Sequence, residues 1–499
     1  MPPEILGCIF AWSLAREPGR SLYSPHFDGL HKGSYNFLLV CHHWFEVASR
    51  TTELWSFWGN SLQDWQKRHR RSGTSPLDLV LDGYKSDPDA RFDESLQSAV
   101  RAHAIQNTIR QVHLRSDYGE TVAAIISSLT PGDDEAIQNQ NIESIVWQNE
   151  RDYTADMSDF FARSRLLRLR VLDLHGSIRI LSWDHLAPRT IFLTDLSLNI
   201  DISPSLPTIT TAQLFSILTS NPNLRNISLS SAVIPNDTDA STFKVQLPNL
   251  NSLGLTGESR HVFGLLCQLA LQGTLDDMQL SGFNPTAEDI SQTLAPYIQD
   301  YFRRGPGFQG RLGVYYSSSS STISISVGVV CTQTTAWVLE PPFVSLRIVF
   351  DFPPQDVLDQ FLISLTTLIP RERVVSFQAW LDAWPLEEIF LMMPKIEALH
   401  LICPLLSEGF LQPNAGGPHA NVKLFPSLRS LCLEHAMAWT GGDWSHLMTY
   451  LAHQTSDGQT ISLEVIGDFP HDCPEIVDGI RSLVQEFTYP RNPVAEENE

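Results

Sequence analysis

The sequence predicts an α/β fold in which a small three-helix module precedes a long, irregular array of strand-and-helix units stacked into a parallel sheet. Three observations predict it. A short pattern, apolar at i, i+3 and i+5, recurs down the chain as "LRVLDL", "LTDLSL", "LRNISL", "LNSLGL", "LDDMQL", "IEALHL" and "LRSLCL". Between copies lie segments with apolar residues at three- and four-residue steps, which is the helical period. Ahead of the array, residues 1–60 carry more Ile, Leu, Phe and Trp on helical faces than three short helices bury among themselves.

Bulk properties narrow the function classes. The chain has 499 residues, enough for several domains or one long array. Charged residues make up 18% and hydrophobic ones 42%, a balance that favours extensive burial over disorder. With 34 Lys and Arg against 56 Asp and Glu, the net charge of -22 repels phosphate backbones and anionic headgroups, so neither nucleic acid nor a membrane surface is expected as a partner. The single basic run, Lys67 to Arg71, is read as a solvated segment. Seven scattered cysteines show neither a disulfide framework nor metal-ligand spacing, so no cofactor or metal is expected and the compartment is a reducing one, cytoplasm or nucleus. The sequons at Asn226 and Asn236 carry no weight there. "ILGCIFAWSLA" has Glu4 instead of a basic region before it, and Arg16, Glu17 and Pro18 after it, which is not the pattern of a cleaved leader. Leu312 to Leu339 is uncharged, but its Ser and Thr content and alternation indicate strand, not a bilayer span.

Pro2, Pro3 and Glu4 suit a helix first turn, and Ile5, Leu6, Ile9 and Phe10 give that helix one apolar face. Arg16 to Ser34 is a loop rich in Gly, Pro and Ser. A second helix is expected from Tyr35 to about Arg50, with Phe37, Val40, Cys41, Trp44, Val47 and Ala48 on one side. "TTELW" starts a third, short helix with Thr52 as N-cap and Leu54 and Trp55 as anchors.

The array follows over residues 61–485. Copies of the pattern start at Ile109, Ile142, Leu169, Leu193, Leu224, Leu250, Leu275, Phe343, Ile396 and Leu428, mostly 24 to 33 residues apart. On a strand, i+3 and i+5 face inward while i+4 faces solvent. The i+4 residues are His113, Val146, Asp173, Ser197, Ser228, Gly254, Gln279, Arg347, His400 and Cys432, mostly polar or small, which fits a solvated sheet on a concave face. From that face His113, Arg115, Asp173, Gln279, Arg347, His400 and Glu434 are the candidate contacts to a protein target. "AQLFSILTSNP" is an intervening helix with Leu214, Phe215 and Leu218 buried and Asn221-Pro222 as its stop. Residues 305–354 break the rhythm as a hairpin-like insertion, Glu408 to Asn421 is a loop, and residues 486–499 form a disordered acidic tail.

These residues carry a resemblance. "PPEIL", "LVCHHW" and "ELW", in that order, resemble the F-box of fungal F-box-like proteins, with Met1-Pro2, then Ile5, Leu6 and Ile9, then Val40, Cys41 and Trp44, then Leu54 and Trp55 at the positions of that pattern. The units after it resemble degenerate leucine-rich repeats. They lack the Asn or Cys that such repeats favour nine positions into the motif, where Asp117, Glu150, Ser177 and others stand. The resemblance implies a substrate receptor of a cullin-RING ubiquitin ligase. The helical module would hold a Skp-family adaptor, and through it a cullin, with Pro2, Ile5, Leu6, Ile9, Val40, Trp44, Leu54 and Trp55, and the array would present its solenoid face to a target. The alternative is an interaction scaffold whose first helices merely cap a repeat array.

No convergent set of nucleophile, base and stabiliser is visible, and the chain is expected not to be an enzyme. His42 and His43 beside Cys41 diverge on a helix by about 100° per residue. Cys432 and Glu434 share one face of a strand whose His435 points the other way, so no histidine of that strand meets the thiol.

Overall fold

The computed structural model describes residues 2–14, 40–51, 55, 57–58, 75–82, 94–106, 108–116, 119–132, 139–149, 154–187, 190–200, 209–230, 233–234, 244–271, 275–304, 312–318, 322–329, 345–351, 369, 371–380, 393–402, 425–434, 441–466 and 474–489. The chain is α/β, with large and mostly parallel sheets, and it divides into two compact units: residues 1–237 with 245–249, and residues 238–244 with 250–499.

The first unit opens on the helices Pro3–Leu14 and His42–Arg50. Leu6, Val47 and Ala48 are buried between and beneath them. Gly7 packs closely: a Cβ there would lie 3.1 Å from the Thr51 hydroxyl, so a larger residue would require the Thr51 side chain to shift. The expected continuous helix from Tyr35 to Arg50 is interrupted, because Cys41 is extended (φ -164°, ψ 169°) and its Sγ accepts the Trp44 N–H at 3.5 Å, capping a helix that starts at His42. Thr51 ends that helix, its N–H and hydroxyl both donating to the Val47 carbonyl. Thr52 and Leu54 lie outside the described residues.

A short strand, Phe57–Trp58, then pairs in parallel with Leu77–Asp82, so sheet pairing begins directly after the helical module. From there Leu77–Asp82, Ile109–Ser116, Ser144–Asn149, Val171–Gly176, Asp195–Ile200 and Asn226–Leu229 each pair in parallel with the next. Parallel neighbours need crossovers, supplied here by Glu94–Ile105, Gly119–Leu129, Ser158–Arg163 and Thr211–Ser220. The last of these opens on a reciprocal capping box, Thr210 with Gln213, and buries Leu214, Phe215, Ile217 and Leu218.

In the second unit Ser252–Glu258, Asp277–Phe283 and Ser345–Asp351 run parallel. The expected hairpin is present as Leu312–Ser318 and Thr322–Val329, but it is built into the sheet: the second arm lies antiparallel to Ser345–Asp351 and the first lies parallel to Val374–Trp380. The parallel series resumes through Ala398–Ile402, Ser430–Glu434, Ser462–Ile466 and Glu486–Thr488. That last strand corrects the expected tail, since Glu486 to Thr488 are hydrogen-bonded sheet; residues 490–499 lie outside the described residues.

All ten copies of the sequence pattern lie on parallel strands, and every i+3 and i+5 side chain, from Val112 and Leu114 to Leu431 and Leu433, is buried. One turn recurs before the strands. The N–H of the first patterned residue donates to the carbonyl three residues earlier, as in Leu169 to Leu166, Leu224 to Asn221, Ile396 to Met393 and Leu428 to Phe425. The residues at the two ends of each turn are buried and the two at its tip are exposed or half-buried. Where it occurs, the turn starts the strand at a fixed register against its neighbour.

Candidate functional site

The helical module places its proposed contact residues in two classes. Ile5, Ile9, Val40 and Phe45 are large, apolar and 42 to 58% exposed, four of the ten such residues described. Ile5 and Ile9 stand one turn apart on one helix face. Pro2 is exposed and Trp44 half-buried. Leu6 and Trp55 correct the sequence-based expectation: both are core residues, and the Trp55 indole N–H donates to the Ala48 carbonyl at 2.9 Å, so neither can meet a partner without opening the module. Phe45 was missed because it sits off the apolar stripe defined by Val47 and Ala48, and nothing in the periodicity marks an outward phenylalanine.

The sheet face opposite the buried i+3 and i+5 side chains carries the predicted target contacts in two rows, one in each unit. In the first unit Val80, His113, Val146, Asp173, Ser197 and Ser228 stand side by side in register. His113 is buried, contrary to the solvent-facing expectation, because its Nε2 hydrogen-bonds the Ser144 hydroxyl of the next strand at 3.0 Å. Arg115 is half-buried beside Gln148. Near the start of the same sheet Arg110 makes a two-pronged contact with Asp78, Nε to Oδ1 at 3.0 Å and the terminal nitrogen to Oδ2 at 2.7 Å. That contact and proximity to Glu143 outweigh burial and raise the guanidinium pKa.

In the second unit Gln279 and Arg347 are exposed neighbours. The built-in hairpin then separates them from Gln378, His400, Cys432 and Glu464, which stand in register on consecutive strands. His400 is buried, again against expectation, and its Nε2 lies 3.0 Å from Glu434 Oε2. Burial lowers its pKa more than Glu434 and Glu464 raise it. At neutral pH the contact is therefore a neutral imidazole N–H donating to a carboxylate. The histidine that Cys432 lacked on its own strand is thus supplied by the neighbouring one, a pairing that only strand register reveals. It does not make a nucleophile: burial, with Glu464 and Glu434 nearby, pushes the thiol up to about 12, so it stays protonated. His435 lies outside the described residues.

Asp173, on the first unit's row, is a carboxyl group disfavoured in its charged form. Burial raises its pKa above the ordinary carboxylate range, opposed in part by a hydrogen bond from Ser197 and by His175. One of its oxygens, Oδ1, is buried without a hydrogen-bond partner. A raised folded pKa means that the native state keeps a proton the unfolded chain releases, so ionisation costs stability at neutral pH and the cost disappears as pH falls through the unfolded value of 3.8. Asp173→Asn is accordingly expected to melt at or above the parent at pH 7, with the difference closing towards about pH 4. Thermal melts of both proteins across that range check it; a variant less stable than the parent at pH 7 contradicts the assignment.

Among the described residues no group of three or more His, Cys, Asp or Glu side chains could hold a metal ion, and no helix is long and apolar enough to cross a membrane. No known family model matches the chain. No curated protein matches it either.

Proposed function

We propose that the chain is a substrate-recognition subunit of a cullin-RING ubiquitin ligase, with residues 1–60 as an F-box-like module for a Skp-family adaptor and the strand array as a leucine-rich-repeat surface for a protein target. One observation carries this reading: Ile5, Ile9, Val40 and Phe45 leave the module with large apolar side chains in water after its own core, Leu6, Val47, Ala48 and Trp55, is filled. Exposed aliphatic and aromatic groups concentrated on two short helices are what an obligate helical docking element requires. Transfer chemistry would belong to other subunits, so this chain would bind and position and would not itself be an enzyme.

The alternative, a scaffold capped by the same helices, is favoured by a different observation. Phe57–Trp58 joins the sheet directly, which ties the module to the array it would cap. Capture of a purified Skp-family adaptor by the full-length protein separates the two. Ile5→Asp combined with Ile9→Asp changes only exposed positions, so it is expected to preserve the thermal melt while weakening capture at least about tenfold, roughly 1.4 kcal/mol or more. A folded parent that captures no adaptor removes the receptor reading and leaves the capped scaffold.

A further inference from the structure

The turns that precede several strands leave two residues at the tip exposed or half-buried, and most tips are polar or proline: Gln140-Asn141, Pro222-Asn223 and Pro248-Asn249 in the first unit. Two adjacent tips depart from this. Leu167-Arg168 and Ile191-Phe192 set Leu167, Ile191 and Phe192 43 to 51% exposed, although the flanking Leu166, Leu169, Thr190 and Leu193 are fully buried. The exposure is therefore built by the turn and does not come from loose packing.

The same edge carries an unusual charge. Arg165, Arg168, Arg170 and Arg225 are all exposed, and none forms an ion pair among the described residues. Backbone hydrogen bonds fix their spacing: the Thr194 N–H donates to the Arg170 carbonyl at 2.8 Å, and the Arg225 N–H donates to the Thr194 carbonyl at 2.7 Å. Arg170, Thr194 and Arg225 thus stand in one row, a strand apart at each step, about 4.8 Å per step. Four exposed arginines without an ion pair among the described residues, in the same turns and strand starts as three exposed apolar side chains, are conspicuous in a chain of net charge -22.

We propose that this edge is a docking surface for an acidic segment of a partner protein that also carries leucine or phenylalanine side chains. The arginines supply planar, multidentate donors for carboxylates, and Phe192, Ile191 and Leu167 supply the apolar contact that makes such an interface more than charge attraction. The overall negative field of the molecule then favours approach through this edge, where repulsion is locally cancelled. The proposal goes beyond adaptor binding and does not depend on it, since every residue involved lies in residues 165–225.

The test is fluorescence anisotropy on the full-length protein with a labelled peptide of glutamate alternating with leucine and phenylalanine. The same peptide with lysine for glutamate, and with serine for leucine and phenylalanine, serves as control. Saturable binding is expected for the first peptide alone. Arg168→Glu with Arg225→Glu, and separately Phe192→Ser, should each weaken it about tenfold or more with an unchanged melt, because all three positions are exposed. The charge-reversal variant should also lose most of the salt dependence. A folded parent that does not bind the acidic apolar peptide, equal binding of the serine peptide, or variants that bind as the parent does would each overturn the proposal. So would a parent that ignores the peptide but binds phosphatidylserine vesicles through these arginines.

Discussion

Replacing Asn221 by Ala is expected to destabilise the first unit by about 3 kcal/mol, from the cost of two buried backbone groups losing their partner at about 1 to 3 kcal/mol each. Asn221 is fully buried at the end of the helix Thr211–Ser220. Its Nδ2 donates to the Ile217 carbonyl at 2.8 Å, and its Oδ1 accepts the Leu193 N–H, from the repeat before, at 3.0 Å. Its own backbone forms the turn that starts the next strand, Leu224 N–H to Asn221 carbonyl at 3.2 Å. One side chain therefore ends a helix and ties two successive units together. Asn223, exposed at the tip of the same turn, should cost under about 0.5 kcal/mol when changed to Ala. Urea unfolding of the two variants measures the difference; similar midpoints would show that Asn221 holds nothing.

This residue also shows how much of the fold was legible. Periodicity alone located ten strands and assigned their inward side chains, because a buried leucine at i+3 and i+5 is enforced on every copy by the same packing. Strands whose pattern was degraded escaped it. Leu77–Asp82 has Pro76, and Ser462–Ile466 has Thr460, at the first patterned position, and Val374–Trp380 has Ala379 at the last. The missing asparagine of the repeat was sought at one fixed place nine positions into the motif, whereas the buried asparagines found here, Asn139 and Asn221, stand three residues before the first patterned residue. Asn139 repeats the arrangement with φ 49°, its Nδ2 donating to the Leu129 carbonyl and the Ser164 hydroxyl. Asparagine tolerates the left-handed backbone of Asn139 better than most non-glycine residues, whereas Asn221, at φ -123°, is favoured by its side-chain hydrogen bonds.

Side-chain destinations on the outer face were less legible than strand positions. Alternation places a residue on a face but says nothing of its neighbours on that face. His113 and His400 became buried because Ser144 and Glu434 of adjacent strands reached them, contacts separated in sequence by 31 and 34 residues. The same limit hid the opposition of His400 and Cys432. Arg165, Arg168 and the apolar tip residues precede the repeating pattern, and Arg170 and Arg225 stand at its second position, where the pattern demands nothing. Their alignment depends on the ladder joining Arg170, Thr194 and Arg225.

Trp55→Ala should be the most damaging single change in the helical module, at about 3 to 5 kcal/mol, because it empties a fully buried site and leaves the Ala48 carbonyl without its indole donor. Trp55→Phe keeps most of the volume and should cost about 1 to 2 kcal/mol, chiefly the hydrogen bond. Where the loss appears decides between the two functional readings. A module that folds as its own docking element should lose amide protection in His42–Arg50 while the strands from Ile109 onward keep theirs. A module that serves as a cap should pass the damage through Phe57–Trp58 into Leu77–Asp82 and lower protection along the array. Hydrogen exchange on Trp55→Ala therefore tests the architecture independently of any adaptor, and the receptor reading expects the first pattern. Exchange that rises equally in the helices and in the first strands would favour the cap, and the exposed Ile5 and Ile9 would then need a different partner.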